Sequence, residues 1–285
     1  MSRLAGRVPL SHGLLRAAHH ARCLRCRQSS GLRPASLLRL AIARVGRRPR
    51  RPRIERHALT ALLLAALLPG LPSPASAAAG EVRLDGVTVH LRQGTRQVVT
   101  VNHTSGSHAR VSYWALKQGS WRLQFRAHDG RIGYNGLVRP KRRVQGSGKT
   151  PLGTYTLPFS FGTHPQRAGW DPSYRKIRRG DYWVLDNQSR FYNRYRNKNS
   201  GGFRWWLPAS HRDASERLRD FPKQYEFSVV THFNAGQVRH RGGAIFLHVN
   251  GSGATAGCVS APRWFLLRVM NRLDQDRVPV IAIGR

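Results

Sequence analysis

The chain has 285 residues, 40% of them hydrophobic and 9% aromatic, so it can bury a core and wholesale disorder is excluded. Its 49 Lys and Arg against 13 Asp and Glu give a formal net charge of +36, which excludes an acidic tail protein or a halophile surface. Three cysteines exclude a disulfide-built scaffold, and no apolar run reaches the roughly 20 residues that span a bilayer, which excludes a polytopic membrane protein.

Residues 1–57 hold fifteen Arg and a single acid, Glu55. The apolar or small stretch Ala58 to Leu68 follows, then Pro69, Gly70, Leu71 and Pro72, and then Ala75-Ser76-Ala77. A basic flank, a short apolar stretch and an Ala-x-Ala site read as a secretory signal peptide cleaved near Ala77; an apolar linker or membrane tether is the competing reading. Residues 1–44 are long for such a flank. The expected translation start is therefore downstream, at a non-Met codon such as Val45, since Met1 and Met270 are the only methionines. Cys23 and Cys26 form a Cys-x-x-Cys pair with no second pair and no flanking His at ligand spacing, which reads as chance rather than as a metal or redox motif. The expected organisation is a leader at 1–77, a short lead-in at 78–94 and one catalytic domain at 95–285. Beyond the leader Cys258 is the only cysteine, and a lone thiol in an exported protein is inert, intermolecular or catalytic.

From Arg96 onward the pattern is mainly β. Arg96 to Val101 is rich in β-branched residues, and Val111 to Leu116 and Ser120 to Ala127 alternate apolar with polar residues, with a hairpin turn expected at Gly119-Ser120. Thr154 to Leu157, Tyr225 to Thr231, Ala244 to Val249 and Val278 to Ile283 read as further strands. One amphipathic helix is expected from Pro262 to Asp274, with Phe265, Leu266, Val269, Met270 and Leu273 on one stripe, Ser260 as N-cap and Pro262 in the first turn.

The chemistry concentrates between Gly243 and Ser260. A histidine, His248, ends an apolar strand; a glycine-rich turn follows; Cys258 sits in a small-residue loop ahead of the helix. These are the parts of a Cys/His acyl-transfer site, in which a thiolate attacks and a nearby His takes its proton. Gly257 lets the backbone approach a substrate, the amides of Gly257 and Cys258 can hold an oxyanion, and the helix start would favour the thiolate. By pattern alone, a core Cys beside a core His fits the same residues equally well.

The stretch resembles the active-site region of the L,D-transpeptidases, the YkuD-like catalytic domain. The match falls on His248, Thr255, Gly257 and Cys258; the chain departs at Ala256, where the family has a second His, and at Ser260, where many members have Arg or Asn. The likeness extends to Gly133-Tyr134-Asn135-Gly136, to Gly146 through Tyr155 and to Tyr182 through Asp186, and covers most of 95–285. It implies a mainly β, YkuD-like β-sandwich with a short helix after the catalytic cysteine, acting on peptidoglycan stem peptides. The implied roles are Cys258 as nucleophile, His248 as general base and Gly257 as an oxyanion amide, with Thr255, Ser260, His232 and Asn250 facing the substrate. A thioester resolved by an amine would give a 3–3 cross-link. Resolution by water would make the protein an L,D-carboxypeptidase or endopeptidase, and a non-catalytic wall-polymer-binding protein is the third possibility. No cofactor and no metal is expected.

The other features carry less. His232, His240 and His248 are spaced by eight, which is not a zinc-ligand spacing, and His232 reads as either a second polar group at the site or a strand-end histidine. Lys149-Thr150 lacks the glycine a phosphate loop needs, because Arg143 stands there. Residues 190–206 interleave Arg190, Arg194, Arg196, Lys198 and Arg204 with six aromatics, which fits either an anionic wall polymer or a solvated loop; no nucleic-acid partner is expected for an exported chain.

Overall fold

The computed structural model describes residues 79–285; the expected leader, its expected cleavage near Ala77 and the Cys23/Cys26 pair lie outside the described residues. The fold is mainly β, as the alternation predicts, and a curled sheet of ten strands dominates it. From one edge its order is Arg175–Lys176, Ser160–Gly162, Phe227–Val230, Phe246–Val249, Val259–Ala261, Ser120–Arg131, His108–Lys117, Gln97–Ser105, Val280–Gly284 and Gly153–Thr156. Register shifts in the long His108–Lys117 hairpin, between Ala109 and Val111 and between Tyr113 and Trp114, add local twist.

The helix spans Arg263–Met270 and closes one face of the sheet. Phe265 and Leu266 are fully buried there, each contributing about 1.5–3 kcal/mol of apolar burial. Phe265 meets Phe125 edge-on at 5.0 Å, and Phe125 stacks on Tyr113 at 5.0 Å. The helix is shorter than its periodicity predicts: the Arg272 amide bonds Val269 O, three residues back, at 2.9 Å, and the chain leaves the helix through a turn that still buries Leu273. Ser260 is not its cap. It belongs to the Val259–Ala261 strand, and Pro262, which has no capping side chain, precedes the first turn.

Two other expectations are corrected. The expected lead-in at 78–94 holds, over its described residues 79–94, a hairpin of Gly80–Leu84 with Val87–Leu91 that buries Leu84, Val87 and Val89 on the main sheet. Its sequence holds the signal for this: Asp85-Gly86, both at positive φ, between alternating apolar residues. The turn after Lys117 is Gln118-Gly119, not Gly119-Ser120, since Ser120 already pairs with Lys117 and both turn residues take positive φ.

Opposite the helix, a three-stranded sheet of Tyr195–Asn197, Asp181–Trp183 and Glu216–Arg217 covers the second core, formed by Phe161, Trp183, Leu218, Tyr225, Phe246 and Cys258. No helix among the described residues is long and apolar enough to cross a membrane.

Candidate active site

Strand alternation decides which face carries His248. Along Phe246–Val249, Leu247 and Val249 enter the helix-side core and Phe246 enters the other. His248 therefore points with Phe246 toward the second core. The next strand, Val259–Ala261, runs parallel in register, with Leu247 opposite Val259 and His248 opposite Ser260. Extending that register places Cys258 opposite Phe246, whose amide meets the Cys258 sulfur at 3.4 Å. The Cys258 and His248 side chains thus belong to one sheet face, and both line a cavity of about 340 Å³.

Parallel strands usually need a crossover of about a dozen residues. Here residues 250–258 make it alone, and the loop is held out by its neighbours. Thr255 bridges Gly133, with its amide donating to Ile132 O at 3.0 Å and its carbonyl accepting from the Tyr134 amide at 2.9 Å. The Thr150 hydroxyl donates to Gly257 O at 2.9 Å and accepts from the Gly133 amide at 2.8 Å. The segments Gly133–Gly136 and Gly146–Tyr155, recognised in the sequence by their order, therefore brace the cysteine loop.

His248 is buried, and its Nδ1 lies 2.8 Å from the Val249 carbonyl. A carbonyl only accepts, so Nδ1 carries the hydrogen and Nε2 keeps its lone pair. Burial pulls the imidazole down to about 4, against a weaker opposing effect from that hydrogen bond. Burial also pushes the Cys258 thiol up to about 12, helped by the carboxyl of Glu216 and opposed by the Phe246 amide and Arg143. The resting pair is accordingly neutral. The thiol donates to the Ala244 carbonyl at 3.1 Å, not to His248. The helix start does not supply the thiolate field expected of it, because a strand separates it from Cys258.

Thr255 lines the cavity and ties the loop, donating to Cys258 O at 2.7 Å. The same hydroxyl accepts the Gly257 amide at 3.2 Å, so that amide is turned into the loop and is not presented as an oxyanion donor. Ser260 and Asn250 do not face the cavity. Ser260 Oγ donates to Asn250 Oδ1 at 2.7 Å, and Asn250 Nδ2 donates to Asp129 O at 2.6 Å, which pins the strand end. His232 is a strand-end histidine, 3.1 Å from the Thr156 hydroxyl and beside a separate cavity. Ala256 is exposed at the cavity rim, where the family's second His would stand.

Three cavity residues carry no signal in the sequence. Glu216 and Tyr225 are hydrogen-bonded, and the Tyr225 ring meets the His248 ring edge-on at 5.5 Å. Burial raises the Glu216 carboxyl to about 7, the Tyr225 hydrogen bond opposing. Arg143 is the third, and its position follows from contacts made far along the chain. Among the described residues no three His, Cys, Asp or Glu side chains converge as metal ligands.

The basic–aromatic segment is built inward. Arg190 and Arg196 cover Phe191, at 4.9 and 3.5 Å from its centroid, Tyr192 is fully buried, and Arg204 pairs with Asp186 and Asp213. Trp205 and Trp206 remain open, with Lys198 4.4 Å from the Trp205 ring. The segment is therefore a folded wall of the domain rather than a row of free stacking faces.

No curated protein and no solved structure matches the chain. Residues 96–281 match the family model of YkuD, the L,D-transpeptidase catalytic domain, and the chain belongs to that family.

Proposed function

We propose that this protein is an exported cysteine acyltransferase that acts on peptidoglycan stem peptides and forms 3–3 cross-links through a thioester. One observation carries the reading: Cys258 and His248 lie on one face of two parallel strands and line one cavity, with Nε2 of His248 free to accept a proton. The Cys258 thiol leaves the Ala244 carbonyl and gives its proton to His248 Nε2 as sulfur bonds to the carbonyl carbon at the L-centre of the diamino acid. The carbonyl electrons move to oxygen, and the Cys258 amide donates to that oxyanion. When the electrons return, the C–N bond breaks and D-alanine leaves with the proton from His248. An acceptor amine then attacks the thioester, passes a proton to His248, and expels the sulfur, which is reprotonated.

The basic flank, apolar stretch and Ala-x-Ala site at 1–77 support export, with cleavage near Ala77. The resting thiol favours one competitor, a non-catalytic binding protein with an inert Cys258, because the thiol is buried and bonded to a carbonyl. Intact mass after incubation with a carbapenem separates the two. A one-to-one adduct on Cys258, absent in Cys258→Ser and much slower in His248→Ala, is the expected result. No adduct, with Cys258 also inert to iodoacetamide, overturns it. Product analysis with and without an added amine acceptor then distinguishes cross-linking from hydrolysis.

A further inference from the structure

Arg143 is 6% exposed and follows a single 3-10 turn, Pro140–Arg142, remote in sequence from Cys258. Its Nε donates to Lys149 O at 3.0 Å and its Nη1 to Arg241 O at 2.9 Å. Both acceptors are neutral, and among the described residues no carboxylate pairs with it; the titratable groups that act on it are Cys258, Tyr192 and Tyr155, and the Phe233 ring centroid lies 5.5 Å from its guanidinium carbon. A desolvated guanidinium without a counter-charge is costly to keep, so its burial here calls for a compensating anion. Among the described residues Nη2 takes no acceptor, and Arg143 lines the cavity that holds Cys258 and His248.

The slot around this cation is built from glycine. A Cβ on Gly242 would lie 2.0 Å from Arg143 Nη1, and one on Gly257 would lie 2.9 Å from Nη2. Both glycines have positive φ, +84° and +130°, so at either position a side chain would be strained as well as obstructed. The glycine before the cysteine thus admits a guanidinium against the reacting loop. Its own amide, held by Thr255 Oγ1, leaves the anion short of one donor.

We propose that Arg143 supplies the positive charge of the active site, stabilising the Cys258 thiolate and then the oxyanion through Nη2. The counter-ion it lacks at rest is the anion that forms during the reaction. The oxyanion part rests on the acyl-transfer reading above; the thiolate part does not.

The test is the pH dependence of Cys258 alkylation by iodoacetamide, a neutral reagent, in the wild-type, Arg143→Gln, Arg143→Lys and Gly242→Ala proteins. Arg143→Gln should move the profile up by about one pH unit or more, read as about tenfold slower alkylation at a given pH below the inflection, and Arg143→Lys should restore most of the rate. Gly242→Ala keeps the arginine but crowds it from its slot, so it should reproduce the Gln shift. This control matters where loss of the buried side chain unfolds the Gln protein. An inflection unmoved in both folded neutral and crowded variants overturns the proposal, as does a wild-type thiol inert at every pH. Carbapenem acylation separates the two readings. A shifted alkylation profile without any wild-type adduct sinks acyl transfer and keeps Arg143 as the thiolate's cation. An adduct with an unmoved profile does the reverse. A carboxylate-binding role would weaken carbapenem binding alone and leave alkylation unchanged, which also overturns the proposal.

Discussion

Thr150 and Gly257, 107 residues apart, are joined by a hydrogen bond of 2.9 Å in which the threonine hydroxyl donates to the glycine carbonyl. The same oxygen accepts the Gly133 amide at 2.8 Å, so one buried side chain fastens three loops behind Cys258. Thr150→Val keeps the shape and removes both bonds, leaving a buried N–H and C=O without this partner. The expected loss is about 2–3 kcal/mol of stability and about tenfold in carbapenem acylation, with Thr150→Ser near wild type. Thermal melts and the acylation rate check this; a Val variant matching wild type in both would refute it.

The strands around the site were legible because burial on both faces makes them near-continuous apolar runs. Phe246–Val249 and Val280–Gly284 are short apolar runs that a sequence reading can place within a residue or two. That Cys258 and His248 share one cavity was legible for a related reason: a histidine at the end of a buried strand and a cysteine in a small-residue loop both stand out against their surroundings. What Ser260, Asn250 and His232 do was not legible, since proximity in sequence says nothing of the face a side chain takes. Arg143, Glu216 and Tyr225 were hidden more deeply. They reach the cavity through pairings such as Trp183 with Glu216, and the Arg143–Arg241 bond spans 98 residues. Only a signal that links distant positions could have found them.

The buried His248 makes the fold acid-sensitive. The unfolded imidazole gains its proton near the ordinary 6.5, whereas the folded one resists until about 4. Stability from this group is therefore complete above pH 6.5 and is lost as pH falls from there through 4, by up to about 3 kcal/mol. His248→Asn removes the titrating group. Its melting temperature should fall less than that of wild type between pH 7 and pH 4, and parallel curves would count against the assignment.

Glu216 works in the opposite direction. Its folded carboxyl holds a proton up to about 7, while the unfolded one loses it near 4.5. Its contribution is fully present below pH 4.5 and is lost as pH rises through 7. Glu216→Gln keeps an acceptor for Tyr225 and cannot ionise, so it should melt higher than wild type at pH 8, by the equivalent of about 1–3 kcal/mol, and similarly at pH 4.5. Because the carboxyl also raises the Cys258 thiol, the variant should alkylate with a lower inflection. An unchanged inflection would separate Glu216 from Cys258.

The N-terminal hairpin is part of the domain by virtue of Asp85. Its side chain is 5% exposed and accepts from Arg110 at 2.8 Å, from Arg126 at 3.1 Å and from Ser112 at 2.9 Å, while its carbonyl accepts from Asn102 Nδ2 at 2.6 Å. Burial raises this carboxyl, but the hydrogen bonds from Arg110 and Ser112 and the charge of Arg126 outweigh it and hold the group below its usual range. Asp85→Ala strips all three donors at once and also removes a residue suited to the positive φ of the turn. The arginines are about 30% exposed and can return partly to water, so the expected loss is about 2–3 kcal/mol rather than the full penalty of a stranded buried charge. Asp85→Asn keeps the turn geometry and should lose less. If residues 79–94 are only a lead-in, deleting them should leave the melting temperature unchanged. The buried Leu84, Val87 and Val89 predict instead that the deletion destabilises the domain at least as much as Asp85→Ala does.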